Sequence, residues 1–206
     1  MSLLLEADRH RPGLRERKKA KTRAAIQEHA LRLFAERGYE ATTVGEIAEA
    51  AEVSPSTFFR YFPTKEDVVL YDALDPLLLA ALEAQPADLS PVGAFRAAMS
   101  QVFSGAPPEV LAQQDERAAL LISVPELRMR MLDEAARSMI PFVEVIAKRA
   151  GKRTDDVAVR ALAGAVVGVG IAAWIGAGGL EARDYLRQMD EGLAQLEAGF
   201  PTLSRP

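Results

Sequence analysis

Residues 42–67, TTVGEIAEAAEVSPSTFFRYFPTKED, decide the fold. Thr43 followed by Glu46 forms a capping box, and Val44, Ile47, Ala48 and Ala51 then recur at helical spacing. Ser54 caps a second short helix, with Pro55 at its first position, where a missing N–H leaves no helical bond unmade. Pro63 ends that helix, and Thr64 with Asp67 caps a third. Two short helices joined by a tight turn form the helix-turn-helix arrangement, whose second helix enters the DNA major groove.

Working outward, the chain has 206 residues, room for one large domain or for a small domain and a larger one. Apolar residues make up 49% of it, enough for a substantial core. The absence of cysteine excludes a disulfide framework and a thiolate metal site. Two histidines, His10 and His29, leave little for metal binding or imidazole catalysis. No Ser/His/Asp set, Gly-rich phosphate loop or metal-spaced cluster is found, so neither an enzyme nor a cofactor or metal is expected. Asp155 and Asp156 stand together at a predicted helix start, where capping accounts for them. Leu3, Leu4 and Leu5 are too few for a secretory signal, so a cytoplasmic location is expected.

The net charge of −4 hides an asymmetry. Between Arg9 and Arg23 there are eight basic residues and one acid, Glu16. Residues 1–65 carry twelve Lys or Arg against nine Asp or Glu, a net +3, and the remainder carries −7. A basic run standing alone reads as a solvated tail. Beside a helix-turn-helix it reads as an arm and first helix that grip phosphates, contacts that set affinity without reading sequence.

The first helix is predicted over about 14–37, stopping at Gly38, with Ile26, Ala30, Leu33 and Phe34 as one buried stripe. Phe34, Tyr39, Ile47, Val53 and Phe58 make a small core under it. Longer helices follow over about 65–84, 91–104, 109–122, 126–150 and 154–179, and a last one over about 180–198. Ser123 and Glu126 read as a capping box for the fourth of these, and Pro141 should kink it. Residues 161–179 carry no charge, yet their Ala and Gly supply little transfer energy. They read as a core or interface helix packed closely through Gly164, Gly168 and Gly170, not as a membrane span. No strand and no repeat is expected; the class is all-α.

Together, ALRLFAERGYEATTV (30–44), EIAEAAEVS (46–54) and STFFRYFPTKEDVV (56–69) resemble the TetR family of bacterial transcriptional regulators. The phrase FFRYFPTKE is the specific element: aromatic pair, Arg, aromatic pair, Pro, then a capped helix start. The resemblance implies a homodimer with a basic arm over 1–13, a DNA-binding domain over 14–63, and an effector-binding and dimerisation domain over 64–206. It implies a repressor that binds a palindromic operator of double-stranded DNA and is released by a small-molecule effector. An activator would use the same reading head. A membrane or partner-binding adaptor on the same scaffold is the reading from another class. One departure is Glu52, which stands where such sequences usually have Gly in the turn.

Carried over to this sequence, the resemblance implies that Thr43 bonds a phosphate and that Ser54, Pro55, Ser56 and Thr57 start the recognition helix against base edges or adjacent phosphates. Phe59 and Tyr61 are expected on the sugar-phosphate backbone, and Lys65 on a phosphate. Arg60 either holds a phosphate or pairs with an acid, and Gly45 reads nothing. Arg17, Lys18 and Lys21 grip phosphates from the first helix, while Phe58 and Phe62 pack in the core. Over 117–132, 151–168 and 172–186 the chain resembles a subgroup whose second domain binds acyl-CoA-like ligands. Met99, Phe103, Met129, Met139, Phe142 and Trp174 are then candidates to line an apolar cavity; the alternative for each is ordinary core.

Overall fold

The computed structural model describes residues 13–176 and 182–201, and among them it is all-α, with no strand. Ten helices follow one another: α1 (Leu14–Arg37), α2 (Val44–Ala50), α3 (Pro55–Tyr61), α4 (Lys65–Leu70), α5 (Asp75–Ala84), α6 (Pro91–Ser104), α7 (Pro108–Ser123), α8 (Pro125–Ala150), α9 (Val157–Gly176) and α10 (Ala182–Ala198). The basic arm expected over 1–13 lies outside the described residues except for Gly13. The chain divides into two compact units, one ending at Val68 and the other beginning at Val69, inside α4.

In the first unit the caps form as the sequence dictates. Thr43 Oγ1 accepts the Glu46 N–H at 3.3 Å while Glu46 accepts the Thr43 N–H at 2.8 Å. Ser54 Oγ accepts the Thr57 N–H at 3.1 Å at the head of α3. Thr64 and Asp67 repeat the reciprocal box at α4, with bonds of 2.9 and 3.3 Å. Each box satisfies N–H groups that the first turn of a helix leaves over. The apolar stripe of α1 (Ile26, Ala30, Leu33, Phe34) is buried, as are Ile47, Ala48, Phe58 and Phe62. Tyr39 closes this core, its ring 5.0 Å from that of Phe34.

One predicted helix over 65–84 is in fact two, α4 and α5, separated at 71–74. The cause is Pro76, in the first turn of α5, which has no N–H to give and crowds the carbonyl four residues back. Asp72 Oδ1 fills the gap by accepting the Leu74 N–H at 2.8 Å. A second correction concerns α8. Its N-cap is Val124, with no side-chain cap bond, and the Ser123 hydroxyl instead turns back to the Leu120 carbonyl. The helix runs through Pro141 to Ala150.

The second unit packs α6, α8, α9 and α10 around Phe95, Ala98, Met99, Val166, Ala173, Met189 and Leu193. Phe95 meets Phe142 edge-on at 5.1 Å. Arg96 on α6 holds Asp190 on α10 with two bonds, 2.7 and 3.0 Å. Gly192 lets α10 approach α9: a Cβ there would fall 2.7 Å from Val169 Cγ1.

Candidate nucleic-acid interface and ligand cavity

The turn between α2 and α3 is a Schellman close. Val53 N–H reaches back to the Ala48 carbonyl at 2.9 Å and Glu52 N–H to that of Glu49 at 3.0 Å. That geometry forces Glu52 into the left-handed region, φ 52°, which favours glycine. The turn therefore has its standard shape and carries the strain of a Cβ.

Around this turn the first unit presents a polar and aromatic surface. Thr43, Ser54, Pro55, Ser56 and Arg60 are exposed, and Phe59 is 51% exposed although apolar. Thr57 and Tyr61 are half-buried, while Phe58 and Phe62 fill the core beneath. The Arg60 guanidinium lies 5.5 Å from the Tyr61 ring centroid, a cation–π distance that leaves its N–H edge for another acceptor. The hydroxyls are pre-ordered, with Ser54 Oγ 2.9 Å from Ser56 Oγ and 3.0 Å from Thr57 Oγ1. Gly45 is exposed in α2 and offers no side chain. Arg17, Lys18 and Lys21 are all exposed on α1.

Lys65 is placed differently from the other basic residues. Its ammonium donates to the carbonyls of Tyr39 at 2.9 Å and Thr42 at 3.2 Å, and sits 4.1 Å from the Tyr39 ring centroid. It thus braces the loop that precedes α2. Glu46, besides capping, pairs with Arg37 at 2.9 Å. Bonds from the Thr43 N–H and hydroxyl, with Arg37 nearby, hold its carboxyl below the usual range.

The second unit lines an open cavity of about 320 Å³. Helix periodicity selects its wall: Gln114, Arg117, Ala118 and Leu121 on α7, and Met131, Glu134, Ala135, Ser138 and Phe142 on α8. Met99 and Phe103 on α6, Val166, Gly170 and Trp174 on α9, and Tyr185 and Met189 on α10 complete most of it. Met99, Phe103, Phe142 and Trp174 were thus brought together on one wall. Met129 falls off the α8 stripe and is 67% exposed, its place taken by Met131. Met139 faces the other side, packed against the cluster of Ile146, Ala147, Val159 and Ala163.

The polar residues of this wall were not anticipated. Arg117 is buried, donating from Nε to the Val69 carbonyl at 2.8 Å and from a terminal nitrogen to that of Leu70 at 3.3 Å. Its other nitrogen meets Asp72 at 3.0 Å and bonds Gln114, which itself donates to Asp72 at 3.0 Å. Asp75 retains accessible surface while protein atoms close round it on the cavity side. Desolvation, then Asp72 and Glu134, push its carboxyl up to about 7, with Arg117 pulling the other way. Burial, with Asp72 and Asp75, pushes the Tyr185 phenol up to about 12. The legible signal was Arg117 and Gln114 on an otherwise apolar helix stripe. No group of three or more potential metal ligands is found among the described residues.

The chain matches two family profiles: bacterial regulatory proteins of the tetR family over residues 26–71, and the MftR C-terminal domain over residues 89–201, more than half of its length. It is 51% identical over 100 residues to the HTH-type transcriptional regulator TcmR of Streptomyces glaucescens, covering 46% of this chain and 44% of TcmR. The chain therefore spans less than half the length of that relative. To MftR of Mycobacterium tuberculosis it is 26% identical over 160 residues, covering 77% of this chain and 80% of that one. Among solved structures, Thermus thermophilus FadR, a TetR family transcriptional repressor in complex with lauroyl-CoA, is similar with TM-score 0.51 and 25% identity. That similarity covers 89% of this chain and 97% of FadR.

Proposed function

This chain belongs to the TetR family of bacterial regulatory proteins, and on that premise we propose that it is a cytoplasmic transcriptional repressor that binds a palindromic operator as a homodimer and leaves it when a small, largely apolar effector fills the cavity. The observation that carries this reading is the pre-ordered face of exposed Ser54, Ser56 and Phe59 with half-buried Thr57 at the head of a rigidly capped α3. Hydroxyls there suit base edges or phosphates, and an exposed ring suits the sugar-phosphate backbone. Pro55 sits with them at the first position of α3, and Tyr61 at its last. Arg17, Lys18, Lys21 and Arg60 supply phosphate contacts, and the N-terminus of α2 at Thr43 another. Lys65 acts by positioning, since its ammonium is already held by two carbonyls.

Dimerisation through α9 and α10 is supported by what α9 leaves uncovered. It is long and apolar enough to cross a membrane, yet only 22% of its apolar stretch is buried in this chain. Ala161, Gly168, Ala172 and Ile175 are exposed at spacings of seven, four and three residues, and a Cβ on Gly168 would meet nothing. A stripe of small residues lets a second copy approach closely. Two reading heads so joined would address half-sites about 34–36 Å apart.

The effector acts by preferring one of two conformations, and its effect on DNA affinity can be no larger than its differential affinity for them. Helix α4 carries the chain from one unit to the next, and its last carbonyls are held by Arg117 on the cavity wall. An acyl-type effector is a second reading, favoured by the lauroyl-CoA bound to FadR. The test is a gel shift with palindromic DNA from upstream of the gene, repeated with small molecules that native mass spectrometry finds co-purified. A shift that these molecules release supports the proposal; no shift at low salt overturns it.

A further inference from the structure

The cavity wall is apolar over most of its area, but its polar pole is acidic. Asp72, Asp75 and Glu134 bring three carboxyls there against one guanidinium, that of Arg117. Arg117 is already engaged by two backbone carbonyls, Gln114 and Asp72. Asp72 in turn is answered by Arg117, Gln114 and the Leu74 N–H. Asp75 and Glu134 make no hydrogen bond or ion pair to any described residue, and the Tyr185 hydroxyl makes none either. The Trp174 Nε1–H is buried and without an acceptor among the described residues. Of these groups the Trp174 N–H is the buried one, and a buried polar group is normally answered. The two carboxyls and the phenol border the cavity with acceptor capacity left open to whatever fills it.

We propose that the effector is a cationic amphiphile, with an apolar body among Met99, Phe103 and Phe142 and a protonated amine facing Asp75 and Glu134. This rests on the effector-cavity reading above and narrows its chemistry. An ammonium donates three hydrogen bonds and neutralises carboxyls that the protein leaves unpaired, whereas a carboxylate or phosphate head would meet like charge. Four of the five N–H donors of the single guanidinium are already engaged, so it offers little to such an anion. Any remaining acceptor on the ligand has the Trp174 N–H to meet.

The arrangement makes binding depend on pH. The charged and titratable groups facing Asp75 are Asp72, Glu134 and Arg117, with the Tyr185 phenol, which stays neutral. A cation next to Asp75 favours its ionised form, so below about pH 7 binding displaces a proton. Affinity for an amine therefore rises from pH 6 to pH 8 by about tenfold, following the ionised fraction of a group with that midpoint.

Three probes with one chain and different heads test this: octylamine, octanol and octanoate, titrated by calorimetry into the full-length protein at pH 6 and pH 8. Octylamine is expected to bind at least about tenfold tighter than octanoate and to gain about tenfold at pH 8. Asp75→Asn is expected to lose the pH gain, and Glu134→Gln to reduce the preference for the amine. Octanol, carrying no charge, reports whether each variant still forms a cavity. Octanoate binding as tightly as octylamine overturns the proposal, as does a pH gain that survives in a folded Asp75→Asn. If no probe binds, the effector-cavity reading falls with it. If octylamine binds as described but never releases operator DNA, the inference stands and the repressor mechanism fails.

Discussion

The Arg117 guanidinium and the Asp72 carboxylate meet at 3.0 Å, and the same guanidinium takes the Val69 carbonyl at 2.8 Å. One buried side chain on α7 thus closes the end of α4, pairs with the linker before α5 and forms part of the cavity wall. Breaking a buried pair by removing one partner leaves the other uncompensated. Arg117→Ala should destabilise the second unit by about 3 kcal/mol, read as a lower midpoint in urea. A midpoint within error of wild type would show that the pair holds nothing.

Glu52 offers the opposite case. Its φ of 52° is one that a side chain disfavours, while the Schellman bonds around it are fully formed. Glu52→Gly should stabilise the protein by about 1 kcal/mol, the left-handed penalty less the greater chain entropy of glycine in the unfolded state. Chemical denaturation followed by circular dichroism checks the sign.

The two glycines on the last helices should separate folding from assembly. A Cβ at Gly192 would press Val169 Cγ1 at 2.7 Å, and valine has little freedom to yield. Gly192→Ala should lower stability by about 1 kcal/mol, overpacking outweighing the gain in helix propensity. Gly168 faces open space in the single chain. Gly168→Glu should leave the circular dichroism spectrum unchanged while light scattering coupled to gel filtration reports a monomer.

Asp75 gives stability a pH dependence of unusual sign for a carboxylate. Its folded midpoint is raised to about 7, above the unfolded value of about 3.9, so the native state binds the extra proton. Its contribution is full below about pH 4 and is lost as pH rises through about 7. Its accessibility will mute the effect, so the direction is the prediction. Melting temperatures taken from pH 5 to pH 8 should fall for the wild type relative to Asp75→Asn, and parallel curves would contradict this.

Much of the first unit was legible because its signals are local. Thr43/Glu46, Ser54/Thr57 and Thr64/Asp67 each lie within one turn, and each forms the bond its spacing implies. The break between α4 and α5 was also written in Pro76, which lies inside the range predicted as one helix. The polar pole of the cavity was not legible beyond Arg117 and Gln114 standing on one otherwise apolar stripe of α7. Asp72, Asp75, Gln114, Arg117, Glu134 and Tyr185 come from the α4–α5 linker and four helices, and only packing brings them together. Met129 and Met131 differ by two positions and face different ways, a distinction that needs the helix phase.

The reading head itself makes a local prediction. Thr57→Ala and Tyr61→Ala should weaken operator binding while leaving the dimer intact. Lys21→Ala should weaken binding to all sequences alike and reduce the salt slope by about 1. Fluorescence anisotropy with operator and scrambled duplexes distinguishes the two kinds of loss.

The most direct test of the central claim is the same anisotropy titration on the unmodified protein, against the upstream palindrome and a scrambled duplex, over a range of salt. The account predicts at least about a thousandfold preference for the palindrome at physiological salt and an affinity that falls steeply as salt rises. Equal binding to both duplexes, or an affinity indifferent to salt, would contradict it.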